Sequence, residues 1–126
     1  MITYSVVPTS QVEHLFAEGK AEGLSFVPDT IYIAAIDEHV IGYAGIKVRG
    51  KQATLRNLFV VPERRGEGIA KAMTARCLEL ARVSGATTAV AFSNWNSKPM
   101  YLSMGATEIN SDRYYGKIMF RIGGAR

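Results

Sequence analysis

Cysteine is all but absent from this chain: Cys77 is its one thiol in 126 residues, so no disulfide can brace the fold from within. Imidazoles are scarce too. With His14 and His39 as the only histidines, the sequence holds no metal-ligand spacing; both read as surface residues, and Cys77 falls on the apolar side of a predicted helix, where it packs. No stretch reaches the ~18 continuous apolar residues of a membrane span, and Met1-Ile2-Thr3-Tyr4-Ser5 lacks the basic and apolar regions of a secretory leader. The expected setting is cytoplasmic, with no membrane partner. Basic runs, zinc-finger spacings and aromatic-studded RNA-binding strands are also missing, which speaks against nucleic acid as a partner despite a net charge of +4. There are no repeats, low-complexity tracts or linker-like segments. Residues 1–126 therefore read as one domain, large enough to bury a core.

What the chain does have is an uneven charge. Residues 1–46 carry one lysine against six acids, whereas residues 47–82 carry nine basic residues against three acids. The basic centre suits a ligand with several phosphates, and the acidic first third, if it lines an acceptor site, suits a cationic or neutral acceptor.

The pattern of apolar residues predicts ten elements. Thr3 to Val7 is a strand ending at Pro8; Ser10 and Glu13 form a capping box for a helix whose stripe is Val12, Leu15 and Phe16; Gly19 and Gly23 break that helix into a loop reaching Pro28. Strands follow at Thr30–Ile36, Val40–Val48 and Ala53–Val61, the first two joined by a turn at Asp37-Glu38-His39 and the next two by Arg49-Gly50-Lys51. A helix from Gly68 to about Arg82 carries Ile69, Met73, Cys77 and Leu80 on one side and stops at Gly85. Thr87–Phe92 is a strand, Ser97–Met104 a short helix, and Thr107–Ile109 and Lys117–Ile122 are the last two strands. This order gives an α/β protein with a mixed sheet flanked by helices. The passage from the fourth strand through the long helix to the fifth is a right-handed parallel βαβ crossover, and open sheets of this kind bind ligands beyond the carboxyl ends of such strands.

At that edge stands Val60-Val61-Pro62-Glu63-Arg64-Arg65-Gly66-Glu67-Gly68-Ile69-Ala70, a strand running into a glycine turn that opens a helix. Two glycines one residue apart let a backbone come close to a ligand, and the first turn of a helix offers unpaired N–H groups and a positive dipole end: a phosphate cradle. It is not a P-loop, which needs Lys-Ser/Thr after the second glycine where this chain has Ile69-Ala70. Nor is it a dinucleotide fingerprint, since Lys71 stands where the third small residue belongs. About thirty residues on, Asn94 precedes Tyr101 by seven positions, and Gly105 follows four later. By itself Tyr101 could equally be a core aromatic.

Together the two constellations resemble the signatures of the GCN5-related N-acetyltransferase (GNAT) family, most closely over residues 40–106. The resemblance implies the acyl-CoA N-acyltransferase fold, with a mostly antiparallel sheet whose fourth and fifth strands splay apart, helped by a bulge in the fourth. It also implies acetyl-CoA as acetyl donor and no metal. Carried over position by position, the main chain of Leu58, Phe59 and Val60 lies along the pantetheine and acetyl group; Arg65, Gly66, Glu67, Gly68, Ile69 and Ala70 surround the pyrophosphate; Asn94 and Tyr101 stand near the thiol; and Tyr101 is the catalytic acid that protonates the departing thiolate. A main-chain N–H of Leu58 or Val60 would meet the developing oxyanion.

Three departures from the family pattern stand out. The first helical region, residues 10–28, is short, which leaves the acceptor pocket open or completed by a second subunit in a homodimer. Ala106 replaces an aromatic. Thr54, Arg56, Ala89 and Ala91 occupy the strand regions where several family members carry a glutamate base, so no base is named; the amine's proton would leave through ordered water to bulk solvent or to an acid such as Glu22 or Asp29. The expected activity is N-acetylation of a primary amine by direct attack with both substrates bound. An acetyl-CoA-binding sensor without turnover is the alternative, and a basic nucleic-acid module leaves both signatures unexplained. The acceptor's identity is not legible from residue pattern.

Overall fold

A computed structural model describes residues 1–22, 24, 29–93, 97–111 and 116–123. Among them run β1 (Thr3–Val7), α1 (Phe16–Ala21), β2 (Ile31–Asp37), β3 (His39–Arg49), β4 (Gln52–Val60), α2 (Ile69–Val83), β5 (Thr88–Ser93), α3 (Lys98–Ser103), β6 (Thr107–Ser111) and β7 (Gly116–Arg121). The strands form one mixed sheet in the order β1-β2-β3-β4-β5-β7-β6. Every neighbouring pair is antiparallel except β4 with β5, the parallel pair that the crossover through α2 requires.

The sheet's two faces are covered differently. Tyr43 and Gly42, adjacent on β3, point to opposite faces: a Cβ on Gly42 would lie 3.1 Å from Met73 of α2, whereas Tyr43 meets Phe16 of α1 edge-on at 5.3 Å. On the α2 face Ile69, Met73, Cys77 and Ala81 are buried, the stripe expected from the sequence with Ala81 in place of the half-buried Leu80. Burial pushes the Cys77 thiol up to about 12, so it packs as an inert apolar group. On the α1 face Phe16, Tyr32, Tyr43 and Phe59 form a continuous aromatic cluster with centroids 5.3–5.8 Å apart, contacts worth about 0.5–1.5 kcal/mol per pair beyond area burial.

The first helical region departs from expectation. Ser10 caps nothing: extended Pro8 leads straight into 3-10 turns at Thr9–Gln11 and Glu13–Leu15, and the α-helix begins only at Phe16. Gly19, expected to break the helix, lies inside it and is buried. The reason is tertiary: a Cβ there would collide with the Tyr43 hydroxyl, so the missing side chain lets α1 rest on the aromatic cluster. Gly23 and Pro28, expected in the following loop, fall outside the described residues. His14 and His39 are exposed, as their surroundings in sequence suggest, and no helix among the described residues is long and apolar enough to cross a membrane.

Candidate active site

β4 creates the site by failing to remain a regular strand. Its pairing with β3 runs Tyr43↔Phe59 and then Gly45↔Arg56, so Ala44 of β3 faces two residues of β4, Asn57 and Leu58. The extra residue is taken up at Asn57, whose φ of 50° lies in the left-handed region that asparagine tolerates better than most residues. Asn57 Nδ2 donates to the Tyr32 hydroxyl at 3.3 Å, tying the bulge to β2. On its other edge β4 pairs with β5 only at Gln52↔Thr88, Ala53↔Ala89 and Thr54↔Val90. Beyond Thr54 that pairing ends, and a cavity of about 810 Å³ is lined by the rest of β4, the glycine turn, the start of α2 and α3.

The far end of β4 shows which backbone groups face that cavity. Val61 N–H donates to Ile41 C=O at 2.9 Å, so strand alternation turns the N–H and C=O of Val60 to the opposite edge, toward β5. The Val60 carbonyl there accepts from Arg65 Nε at 2.8 Å. The Val60 N–H shares that edge, which favours it over the Leu58 N–H, carried on the bulge, as the oxyanion donor.

Gly66 and Gly68 have φ of 86° and 82°, and a Cβ built on either would meet nothing within 4 Å. The turn is therefore glycine for conformation and has open space beside it. Gly68 is the N-cap of α2, and the helix ladder starts with Ala72 N–H to Gly68 C=O at 3.0 Å, leaving the amides of Ile69, Ala70 and Lys71 ahead of it. Gly66, Gly68, Ile69 and Ala70 line the cavity together with Leu58, Phe59 and Val60, so the structure brings the cradle and the strand-four wall to one place.

Glu67 is the exception within the motif. It is exposed and paired with Arg64, whose guanidinium also reaches Asp37 at 3.1 Å, and this group tethers the glycine turn to the β2–β3 hairpin. Arg64 beside Asp37 holds that carboxyl below its ordinary value. Arg65 is likewise engaged: its Nη2 donates to both oxygens of Glu22 at 2.8 and 2.7 Å, and its guanidinium carbon lies 5.6 Å from the centre of the Phe59 ring.

Tyr101 reaches the cavity from α3. Its ring stands edge-on to Phe120 at 6.0 Å and is 5% exposed; burial first, then proximity to Cys77, pushes its phenol up to about 12. Tyr101 is thus both a packed aromatic and part of the cavity wall. Asn94 lies outside the described residues. Of the acids in the first third, only Glu22 borders the cavity among the described residues, against Arg56, Arg64, Arg65 and Lys71, so the acidic acceptor wall expected from charge counts is not what lines it. Asp29 is exposed and does not line it. Three features escaped the sequence reading: the Asn57–Tyr32 contact, the Glu22–Arg65 pair and the placement of Arg56. Only Asn57 carried a local signal, an asparagine interrupting the alternation of a strand.

A family model, described as the acetyltransferase (GNAT) family, matches residues 4–106. No curated protein matches the sequence. Solved structures with the same fold include PaiA N-acetyltransferase from Thermoplasma acidophilum in complex with coenzyme A, 13% identical with a TM-score of 0.80, covering 96% of this chain and 99% of that one. Another is the ribosomal-protein-S18-alanine N-acetyltransferase of Escherichia coli, 16% identical with a TM-score of 0.78, covering 100% and 97% of the two chains. A third is YncA of Salmonella typhimurium with its cofactor acetyl-CoA, 13% identical with a TM-score of 0.78, covering 100% and 96%. At such identities the likeness is one of fold.

Proposed function

The chain belongs to the acetyltransferase (GNAT) family, and on that premise we propose that it is an N-acetyltransferase that moves an acetyl group from acetyl-CoA to a primary amine. The observation that carries this reading is the meeting, in one cavity, of the glycine turn, the bulged edge of β4 and Tyr101. The residues fit the donor: open space beside Gly66 and Gly68, amides at the start of α2 and the cations Arg64, Arg65 and Lys71 suit a pyrophosphate, and the cavity along the unpaired edge of β4 suits an extended arm. Acetyl-CoA supplies the thioester. In the transfer a bond forms between the amine nitrogen and the acetyl carbon, the carbon–sulfur bond breaks, and the amine loses one proton as the thiol regains one.

In this scheme the chain's residues position and stabilise. Val60 N–H donates to the oxyanion, and Tyr101 donates from the α3 side to the departing sulfur. Arg65 is held at the mouth by Glu22. That pair is about half exposed and so worth about 0.2–1 kcal/mol, the amount lost if Arg65 turns to a phosphate. Glu22→Gln should therefore tighten acetyl-CoA binding by up to about fivefold in calorimetry. Unchanged affinity would mean that Arg65 stays on Glu22 when the donor is bound.

A second reading, an acetyl-CoA sensor without turnover, draws on the absence of a carboxylate at Thr54, Arg56, Ala89 and Ala91. Two measurements decide between them. Acetyl-CoA at 100 times its Kd should stabilise the protein by about 2.7 kcal/mol, a rise in melting temperature of about 10 °C. Thiol release with a panel of amines should then exceed the uncatalysed rate. Binding without release leaves the sensor, and no binding removes both.

A further inference from the structure

Among the described residues, Arg56 is a cation on the cavity wall without a partner. Arg64 and Arg65 are each met by carboxylates, but Arg56 takes part in no ion pair among the described residues, and its Nε is buried with no hydrogen-bond partner. A buried guanidinium N–H left unpaired is costly to the fold, and the cost is offset when an anion enters.

The bulge decides where this charge points. Arg56 and Phe59 are three apart, so in a regular strand they would face opposite sides of the sheet. The extra residue at Asn57 brings them to the same side, since Gly45↔Arg56 and Tyr43↔Phe59 pair across from residues two apart on β3. A Cβ on Gly45 would point at Tyr32 and Thr30, which marks this as the α1 face. Lys47, paired with Thr54, adds a second positive charge on the same face. Four strand positions separate Arg56 from Val60, roughly 10–13 Å, so its guanidinium belongs to the end of the cavity away from the glycine turn.

Resting on the N-acetyltransferase reading, we propose that Arg56 receives a carboxylate of the acceptor, and that the acceptor is an amine bearing that carboxylate close by, of the amino-acid type. The planar guanidinium matches a carboxylate through paired N–H groups, and such an acceptor is close to neutral overall.

The test compares three forms of each acceptor in the thiol-release assay: the free amino acid, its carboxamide and the amine lacking the carboxyl group. The acid should be preferred, with KM for the other two raised about 10- to 100-fold, the loss of one charge-assisted contact, and kcat little changed. Arg56→Met should impose the same rise in KM on the acid, leave the carboxamide as it was, and leave the Kd for acetyl-CoA within about twofold. Arg56→Lys should restore part of the preference. Because Arg56→Met removes an unpaired buried donor, it should melt no lower than the parent protein. Equal use of acid and carboxamide, or an Arg56→Met loss that falls alike on both, overturns the proposal while leaving the acetyltransferase reading intact. Loss of acetyl-CoA binding in Arg56→Met overturns it by assigning Arg56 to the donor. No thiol release with any acceptor overturns the parent reading and this one with it.

Discussion

Tyr101→Phe should lower turnover about 10²–10³-fold while changing acetyl-CoA affinity little, because it deletes one oriented donor and keeps the ring against Phe120. The raised phenol decides the form this help takes. At about 12 the hydroxyl keeps its proton at neutral pH, yet an ordinary thiol ionises near ~8.5, so complete transfer to the thiolate runs uphill by several pH units. In the proposed mechanism this favours a hydrogen bond from Tyr101 to the departing sulfur, as the carbon–sulfur bond breaks, over complete proton transfer. That places the expected loss in the lower part of the ~10²–10⁴ range of general acid catalysis. A thioester with a more acidic leaving thiol should shrink the gap between parent and variant. Near-parental turnover with chemistry rate-limiting would leave Tyr101 as a core aromatic alone.

Gly68→Val should weaken acetyl-CoA binding by about 10- to 100-fold, the equivalent of one or two charge-assisted hydrogen bonds of about 1.5–3 kcal/mol. At φ 82° a β-branched residue is strained by about 1–3 kcal/mol, and its side chain projects into the space beside the turn where nothing now stands within 4 Å. The two effects separate with a control. Gly50, at φ 57° in the β3–β4 turn, also has nothing near its missing Cβ and does not line the cavity, so Gly50→Val carries the strain without the obstruction. It should melt lower and bind normally. If Gly68→Val stays folded by circular dichroism and binds acetyl-CoA as tightly as the parent, the phosphate cradle lies elsewhere.

Local rules account for what was readable beforehand. Alternation marked β2 to β4 to within a residue or two, the 3.6-residue stripe and Gly85 bounded α2, and the positive-φ glycines at 66 and 68 were called by their place between strand and helix. Asn57 interrupts the alternation of β4 and so carries the one local trace of its bulge. By contrast, Gly19 reads as a helix breaker in any window of sequence, and only Tyr43, distant in the chain, makes it a packing position. Ser10 and Glu13 form a capping pattern, but Pro8 directs the chain into 3-10 turns before the helix can start there.

From residue order alone came the seven strands and three helices in sequence, the parallel crossover and the glycine turn, because turns, caps and periodicity act over a few residues; Tyr101 as candidate chemistry came from the family resemblance. Tertiary structure alone decided that the pairing of β4 with β5 ends after Thr54, that Glu22 takes Arg65 and Asp37 takes Arg64, and that a one-residue bulge turns Arg56 toward the α1 face. Each of those outcomes depends on which strands become neighbours and in what register. Register is set by burial across the whole sheet, and a shift of one residue reverses the face of every side chain beyond it.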